Sequence, residues 1–228
     1  MGVIDERRRM VANQLQARGI HDERVLSAMA AIPRERFIEP DLRGRAYADE
    51  AVPIEAGQTI SQPWVVARMT ELLAPRPGER ILELGTGSGY QAAILAQLGA
   101  HVTSLERHPS LAAQARDRIA ALDLPGTVDI RTADGSLGDP YGAPYDGIIV
   151  TAAAPRIPTE LRDQLIDGGR LVIPVGPRDH QVLTLVVRHG NDWRETPHGA
   201  VVFVPLIGEG GFPDEMRHFP EDPSNRVV

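Results

Sequence analysis

Apolar residues are scattered over the first sixty positions and, from Gly78 onward, gather into short runs at a regular beat. Five runs read as strands, at 80–84, 101–105, 128–131, 148–151 and 171–175. Helical patterns fall between them at 89–98, closed by Gly99, and at 109–122. This alternation predicts a doubly wound, mostly parallel α/β sheet. After 175 the beat changes. Runs at 182–188 and 200–206, joined across Gly190-Asn191-Asp192, predict a terminal antiparallel strand pair. Upstream, 5–32 reads as one or two helices with Asp5 and Asp22 as N-caps and Gly19 as a stop. A helix over 61–73 is expected to be capped by Ser61, with Pro63 in its first turn. The organisation expected is a helical and loop segment (1–60) packed on a main domain (61–208), then a flexible tail (209–228) rich in Gly, Pro and acid.

Composition narrows the chemistry. The 228 residues, 42% of them apolar, suit a soluble globular chain, and no apolar run approaches the roughly 18 residues of a membrane span. A cytoplasmic protein without membrane association is expected. The chain has no cysteine, which excludes disulfides and thiolate catalysis. It also has no lysine, so all 24 basic residues are arginines and no lysine Schiff base or phosphate-loop lysine can form. A net charge of −7 speaks against gripping nucleic acid. The seven histidines lack metal-ligand spacing, so no metal is expected, and Arg7-Arg8-Arg9 reads as a solvated helix face.

The strand at 80–84 runs into Gly85-Thr86-Gly87-Ser88-Gly89-Tyr90 and carries an acid, Glu83, near its end. A dinucleotide loop places a small residue last, to pack the helix closely under a pyrophosphate. Here that position is Tyr90. Glu83 would repel phosphates and attract the ammonium of a methionine moiety. Glu106, ending the next apolar run, is placed to accept hydrogen bonds from two ribose hydroxyls. Asp134-Gly135, after the third strand, can meet an adenine amino group, and the small residues Thr151-Ala152-Ala153-Ala154-Pro155 leave room for an acceptor. Together these favour S-adenosylmethionine over a dinucleotide, on a Rossmann-like sheet of the methyltransferase type. Candidate cofactor residues read from these motifs are Glu83, Gly85, Gly87, Gly89, Glu106, Asp134 and Gly135.

Five segments resemble the protein-L-isoaspartate O-methyltransferase family: Gly57-Gln58-Thr59-Ile60-Ser61-Gln62-Pro63, Glu83 to Tyr90, Tyr145-Asp146 with Thr151 to Pro155, Gly168 to Gly176, and Phe203-Val204-Pro205-Leu206. They lie in family order across roughly residues 10–208. The resemblance implies methyl transfer from S-adenosylmethionine, giving S-adenosylhomocysteine, to the α-carboxylate of L-isoaspartyl residues in damaged proteins or peptides. The ester then closes to a succinimide, whose hydrolysis restores some aspartate. It further implies Ser61 as the catalytic residue, Thr59 and Ser61 at the border of cofactor and acceptor, and Ile60, Val204 and Leu206 over the substrate backbone. A monomer is expected. The chain departs from the family pattern at Ala133, at Ser136 and in its longer tail.

An α-carboxylate has a pKa of roughly 3.5, so it arrives ionised and needs no general base. Ser61 is therefore expected to position the acceptor without forming a covalent intermediate; the chain lacks a G-x-S-x-G elbow at this loop. Four rival functions remain. A nicotinamide oxidoreductase is opposed by Tyr90 and Glu83. A nucleobase methyltransferase would prefer an Asn/Asp-Pro-Pro-aromatic run, absent at 151–155. A methyltransferase for a dedicated precursor peptide would share every motif, and a cofactor sensor would have no use for the Ser61 segment.

Overall fold

Helix α1 (Val3–Arg9) starts directly after the extended backbone of Gly2 in a computed structural model that describes residues 2–214. Asp5 thus lies within the first turn, where its carboxylate accepts the Gly2 N–H at 3.3 Å, and the cap expected there is corrected. The acid still meets the positive end of the helix. The helix widens into a π stretch (Met10–Leu15), tightens into a 3-10 turn (Gln16–Arg18) and stops at Gly19, with φ +87°. Helix α2 (Glu23–Ala31) is capped by Asp22, which accepts the Arg24 N–H at 2.9 Å. The few apolar residues of this region are well placed. Met10, Leu15, Ile20, Val25 and Met29 are buried in one cluster with Tyr90, Ala93 and Ile94 of the main sheet's first helix. Arg7 is no solvated side chain either: it donates to the Tyr47 hydroxyl at 2.9 Å and to the carbonyl of Ala31 at 3.0 Å.

Between residues 33 and 60 the chain forms 3-10 turns and a small hairpin of β1 (Val52–Pro53) with β2 (Thr59–Ile60). Helix α3 (Pro63–Leu73) then begins two residues later than expected, with Gln62 at its N-cap and Pro63 first in the helix. Ser61 is not the cap. The reason is the proline, which keeps its predecessor extended and whose own fixed φ suits the first helical position.

The main sheet follows from β3 (Arg80–Leu84), α4 (Tyr90–Gln97), β4 (His101–Glu106), α5 (Pro109–Ala120), β5 (Thr127–Thr132), β6 (Tyr145–Val150), α6 (Thr159–Asp163), β7 (Leu165–Val175), β8 (Gln181–His189) and β9 (Asp192–Val201). Its order is β5-β4-β3-β6-β7-β8-β9, parallel from β5 to β7 and antiparallel thereafter. Alternate strand residues bury on opposite faces. Ile81, Ile149 and Val172 pack with Met69 and Leu73 of α3, whereas Leu82, Ile148 and Leu171 pack with Leu161 of α6. Each such side chain contributes about 1.5–3 kcal/mol through burial. Asp146 anchors the start of β3, its carboxylate accepting the Arg80 N–H at 2.8 Å.

The terminal pair differs from the expected one. Strand β9 occupies 192–201 instead of 200–206, paired from His189↔Asp192 onward across a tight turn at Gly190-Asn191. This stretch is polar because it is an edge strand, with Asp192, Arg194, Glu195, Pro197 and Gly199 exposed. The more apolar residues 203–206 leave the sheet. They cross the carboxyl end of β6 instead, where Leu206 N–H donates to Ala153 O at 2.7 Å and Ala153 N–H to Val204 O at 2.8 Å.

Candidate active site

The carboxyl ends of β3, β4 and β6 meet on one edge, and the glycine loop turns there. Gly85 has φ +96°, and a Cβ on it would lie 2.6 Å from Thr151 Oγ1. That hydroxyl donates to the carbonyls of Gly85 at 2.5 Å and Leu84 at 3.0 Å, tying the loop to the end of β6. Gly89, φ +90°, lets α4 approach α5, since a Cβ there would meet Ala115 Cβ at 3.1 Å. Glu106 is 5% exposed, and its two oxygens accept the Gly87 N–H at 2.8 Å and the His108 N–H at 2.9 Å. Each oxygen keeps a second lone pair for a ligand.

Glu83 stands behind this wall. It is 0% exposed, accepts the Ser104 hydroxyl at 2.5 Å through one oxygen and leaves the other without a partner. Burial pushes its carboxyl up to about 8, the nearby Glu106 adds to the rise, and the Ser104 hydrogen bond opposes it. Burial thus favours the neutral form of Glu83, which lies behind the cavity wall and not at it.

Opposite the loop, the β1–β2 hairpin and the 203–207 crossing form a lip. The cavity between lip and loop is lined by Thr59, Ile60, Ser61, Gly85, Gly87, Glu106, Gly135, Val204 and Leu206 among the predicted site residues. Glu83, Gly89 and Asp134 are not at its wall. Asp134 faces an adjoining groove with Arg107 and Glu209. Its oxygens accept the N–H groups of Ser136 at 2.9 Å and Glu209 at 3.4 Å. Residues 209–214 of the expected tail fold back over this turn: Gly210 N–H donates to Ser136 Oγ at 3.0 Å, and Phe212 N–H to Leu206 O at 2.7 Å. Arg107 pairs with Asp214 at 2.9 Å. The rest of that tail, 215–228, lies outside the described residues.

The chain matches the family model for protein-L-isoaspartate (D-aspartate) O-methyltransferase over residues 6–211. It belongs to that family. A relative from Methanoregula boonei named protein-L-isoaspartate O-methyltransferase is 54% identical over 208 residues, covering 91% of this chain and 95% of the relative. One of the same name from Methylorubrum extorquens is 52% identical, covering 93% and 92%. A solved structure described as the Plasmodium falciparum family member in complex with S-adenosyl-L-homocysteine superposes with TM-score 0.74 at 27% identity, covering 88% of this chain and 98% of that one. Another protein-L-isoaspartate O-methyltransferase structure superposes with TM-score 0.75 at 26% identity, and this chain spans 66% of its length.

Within this cavity, sequence reasoning passed over several lining residues, among them Met69, Gln91, Arg107, His108 and Ile207. Gln91 had a signal: it is a polar residue amid buried Tyr90, Ala92, Ala93 and Ile94. Its Nε2 donates to Thr70 Oγ1 at 2.9 Å, while its Oε1 is buried without a partner. Met69 and Ile207 carry no local mark of function; only the fold brings them here. Among the described residues no cluster of His, Asp or Glu could hold a metal ion.

Proposed function

We propose that this chain methylates the α-carboxylate of L-isoaspartyl residues in damaged proteins and peptides, using S-adenosylmethionine and starting repair through a succinimide. The observation that carries the reading is the single cavity bounded by Gly85, Gly87 and Glu106 on one side and Thr59, Ile60 and Ser61 on the other. Its residues fit the cofactor: a buried carboxylate with spare lone pairs, a Gly85 position no side chain could occupy, and the unpartnered acceptor of Gln91. Glu106, Gly85, Gly87 and Gly135 would hold it, with Thr59 and Ser61 at its border. When bound, S-adenosylmethionine supplies an electrophilic methyl group on a cationic sulfur.

The remaining work falls to the lip. Ser61 lies outside α3, so its hydroxyl is free of the capping role and is assigned to orienting the acceptor carboxylate. Ile60, 3% exposed, and Leu206, 7% exposed, keep water from the acceptor, with Val204 beside them. Alignment of ionised acceptor and donor is the main task, worth several kcal/mol where the geometry is held. Glu83, Gly89 and Asp134 are assigned supporting roles, beneath the loop, at the α4–α5 contact and at the adenine-side turn. Residues 1–60 are read as a cover on the 61–208 domain. Net charge −7 supports a chain that does not bind nucleic acid, and no helix among the described residues is long and apolar enough to cross a membrane. A cytoplasmic monomer remains our working description.

The test is transfer of label from S-adenosylmethionine to paired peptides differing only in Asp or isoAsp at one position. Label on the isoAsp peptide alone is expected. Equal labelling of both would remove the proposed acceptor.

A further inference from the structure

Arg34 is 0% exposed, a rare state for an arginine. Its Nε donates to Ala46 O and its Nη2 to Ser61 O, each at 2.8 Å, and its guanidinium carbon stands 5.0 Å from the centroid of the Tyr90 ring. Nη1 is buried without a partner. The adjacent acid does not compensate it. Glu35 is taken by Arg7 and the Tyr47 hydroxyl, and among the described residues no carboxylate forms an ion pair with Arg34. Burial draws the guanidinium down to about 10, with the neighbouring Tyr90 and Tyr47 opposing the fall, so it stays charged at neutral pH.

A buried cation without an anion is unfavourable unless something offsets it. Both Ser61 and Tyr90, which Arg34 touches, line the cavity. The acceptor assigned to that cavity is an anion, and its methyl ester is neutral. We infer that Arg34 is a positioning residue that fixes Ser61 from behind and gives the acceptor side of the cavity its preference for an ionised carboxylate over a neutral group. The inference rests on the isoaspartyl reading above. It also gives the site a means of releasing product, because transfer of the methyl group removes the charge that Arg34 favours.

The experiment is calorimetric binding to protein saturated with S-adenosylhomocysteine. Three peptides are compared, carrying the isoaspartyl α-carboxylate, its α-carboxamide and its α-methyl ester. Wild type is expected to prefer the carboxylate to the carboxamide by about 10-fold or more, equivalent to about 1.4 kcal/mol. Arg34→Gln and Arg34→Met should each shrink that preference to about 2-fold, and Arg34→Lys, which keeps the charge, should retain most of it. Affinity for S-adenosylhomocysteine should change by less than about 3-fold. A structural tie alone would weaken all three peptides equally. If Arg34→Gln, or Arg34→Met should the former not fold, keeps the wild-type preference, the inference is overturned, as it is if Arg34→Lys loses the preference completely. Wild type that binds none of the peptides overturns the acceptor reading itself.

Discussion

The two sides of the cavity are built by opposite means. The loop side, Gly85 to Gly89 with Glu106, comes from one stretch of chain and the end of the next strand, and backbone N–H groups do most of the holding. The lip side comes from segments about 140 residues apart, Thr59 to Ser61 and Val204 to Leu206, and its hidden support is Arg34. Their buried ionisable groups differ in the same way. Burial takes Glu83 across neutrality to about 8, whereas Arg34 falls only to about 10. Desolvation opposes charge in both cases, but a guanidinium starts too high to be discharged. Burial thus favours a neutral group beneath the loop side and leaves a positive one behind the lip.

The largest expected effect is on the lip. Ser61→Ala should lower kcat/KM for an isoAsp peptide by roughly 10- to 1000-fold, about 1.4–4 kcal/mol, while S-adenosylhomocysteine binds nearly as before. A methyl-seryl adduct found by mass spectrometry in the wild type would defeat the positioning role. Next comes the loop. Gly85→Ala demands a left-handed backbone from a residue with a Cβ and drives that atom into Thr151. Strain of roughly 1–3 kcal/mol predicts a loss of S-adenosylhomocysteine affinity of roughly 5- to 150-fold by titration. Normal affinity would mean that the loop is less rigid than its contacts imply.

Glu83 sharpens the electrostatic contrast. Between its ordinary 4.5 and its folded value of about 8, the folded chain keeps a proton that the unfolded chain has lost. Stability from this group is therefore fully present below about 4.5 and is lost as pH rises through about 8, by at most about 1.4 kcal/mol per pH unit. In Glu83→Gln, the fall in thermal midpoint from about pH 5 to pH 8 should flatten; an unchanged slope would show that Glu83 is ionised in the folded protein. The smallest effect belongs to the adjoining turn. Ser136→Ala removes the acceptor of the Gly210 N–H, so about 0.5–1.5 kcal/mol of stability should disappear in denaturant titrations. No change would place residues 209–214 among loosely held surface.

Much of the loop side could be read in advance because its signals are local. Glycines at 85, 87 and 89 mark positive φ, and Glu106 falls where the second strand ends. Errors in element bounds came where a neighbour, along the chain or in space, overrode a local preference. Pro63 took the helix start from Ser61, and an edge position made a strand of the polar residues 192–199. That Asp134 accepts the N–H groups of Ser136 and Glu209, and that Glu83 is sealed beneath the loop, no local pattern announced. Arg34 gave no warning at all, since nothing in Pro33-Arg34-Glu35 distinguishes a buried cation from an exposed one.

By itself the order of residues determined the beat of strands and helices, the glycine turn and the family, because these depend on periodicity and on backbone freedom at single positions. The folded chain alone decided which acid faces the cavity, where residues 203–206 cross and where an uncompensated arginine comes to rest. Those are matters of burial and partnership, and both depend on residues far away in sequence that arrive only when the sheet closes its two faces.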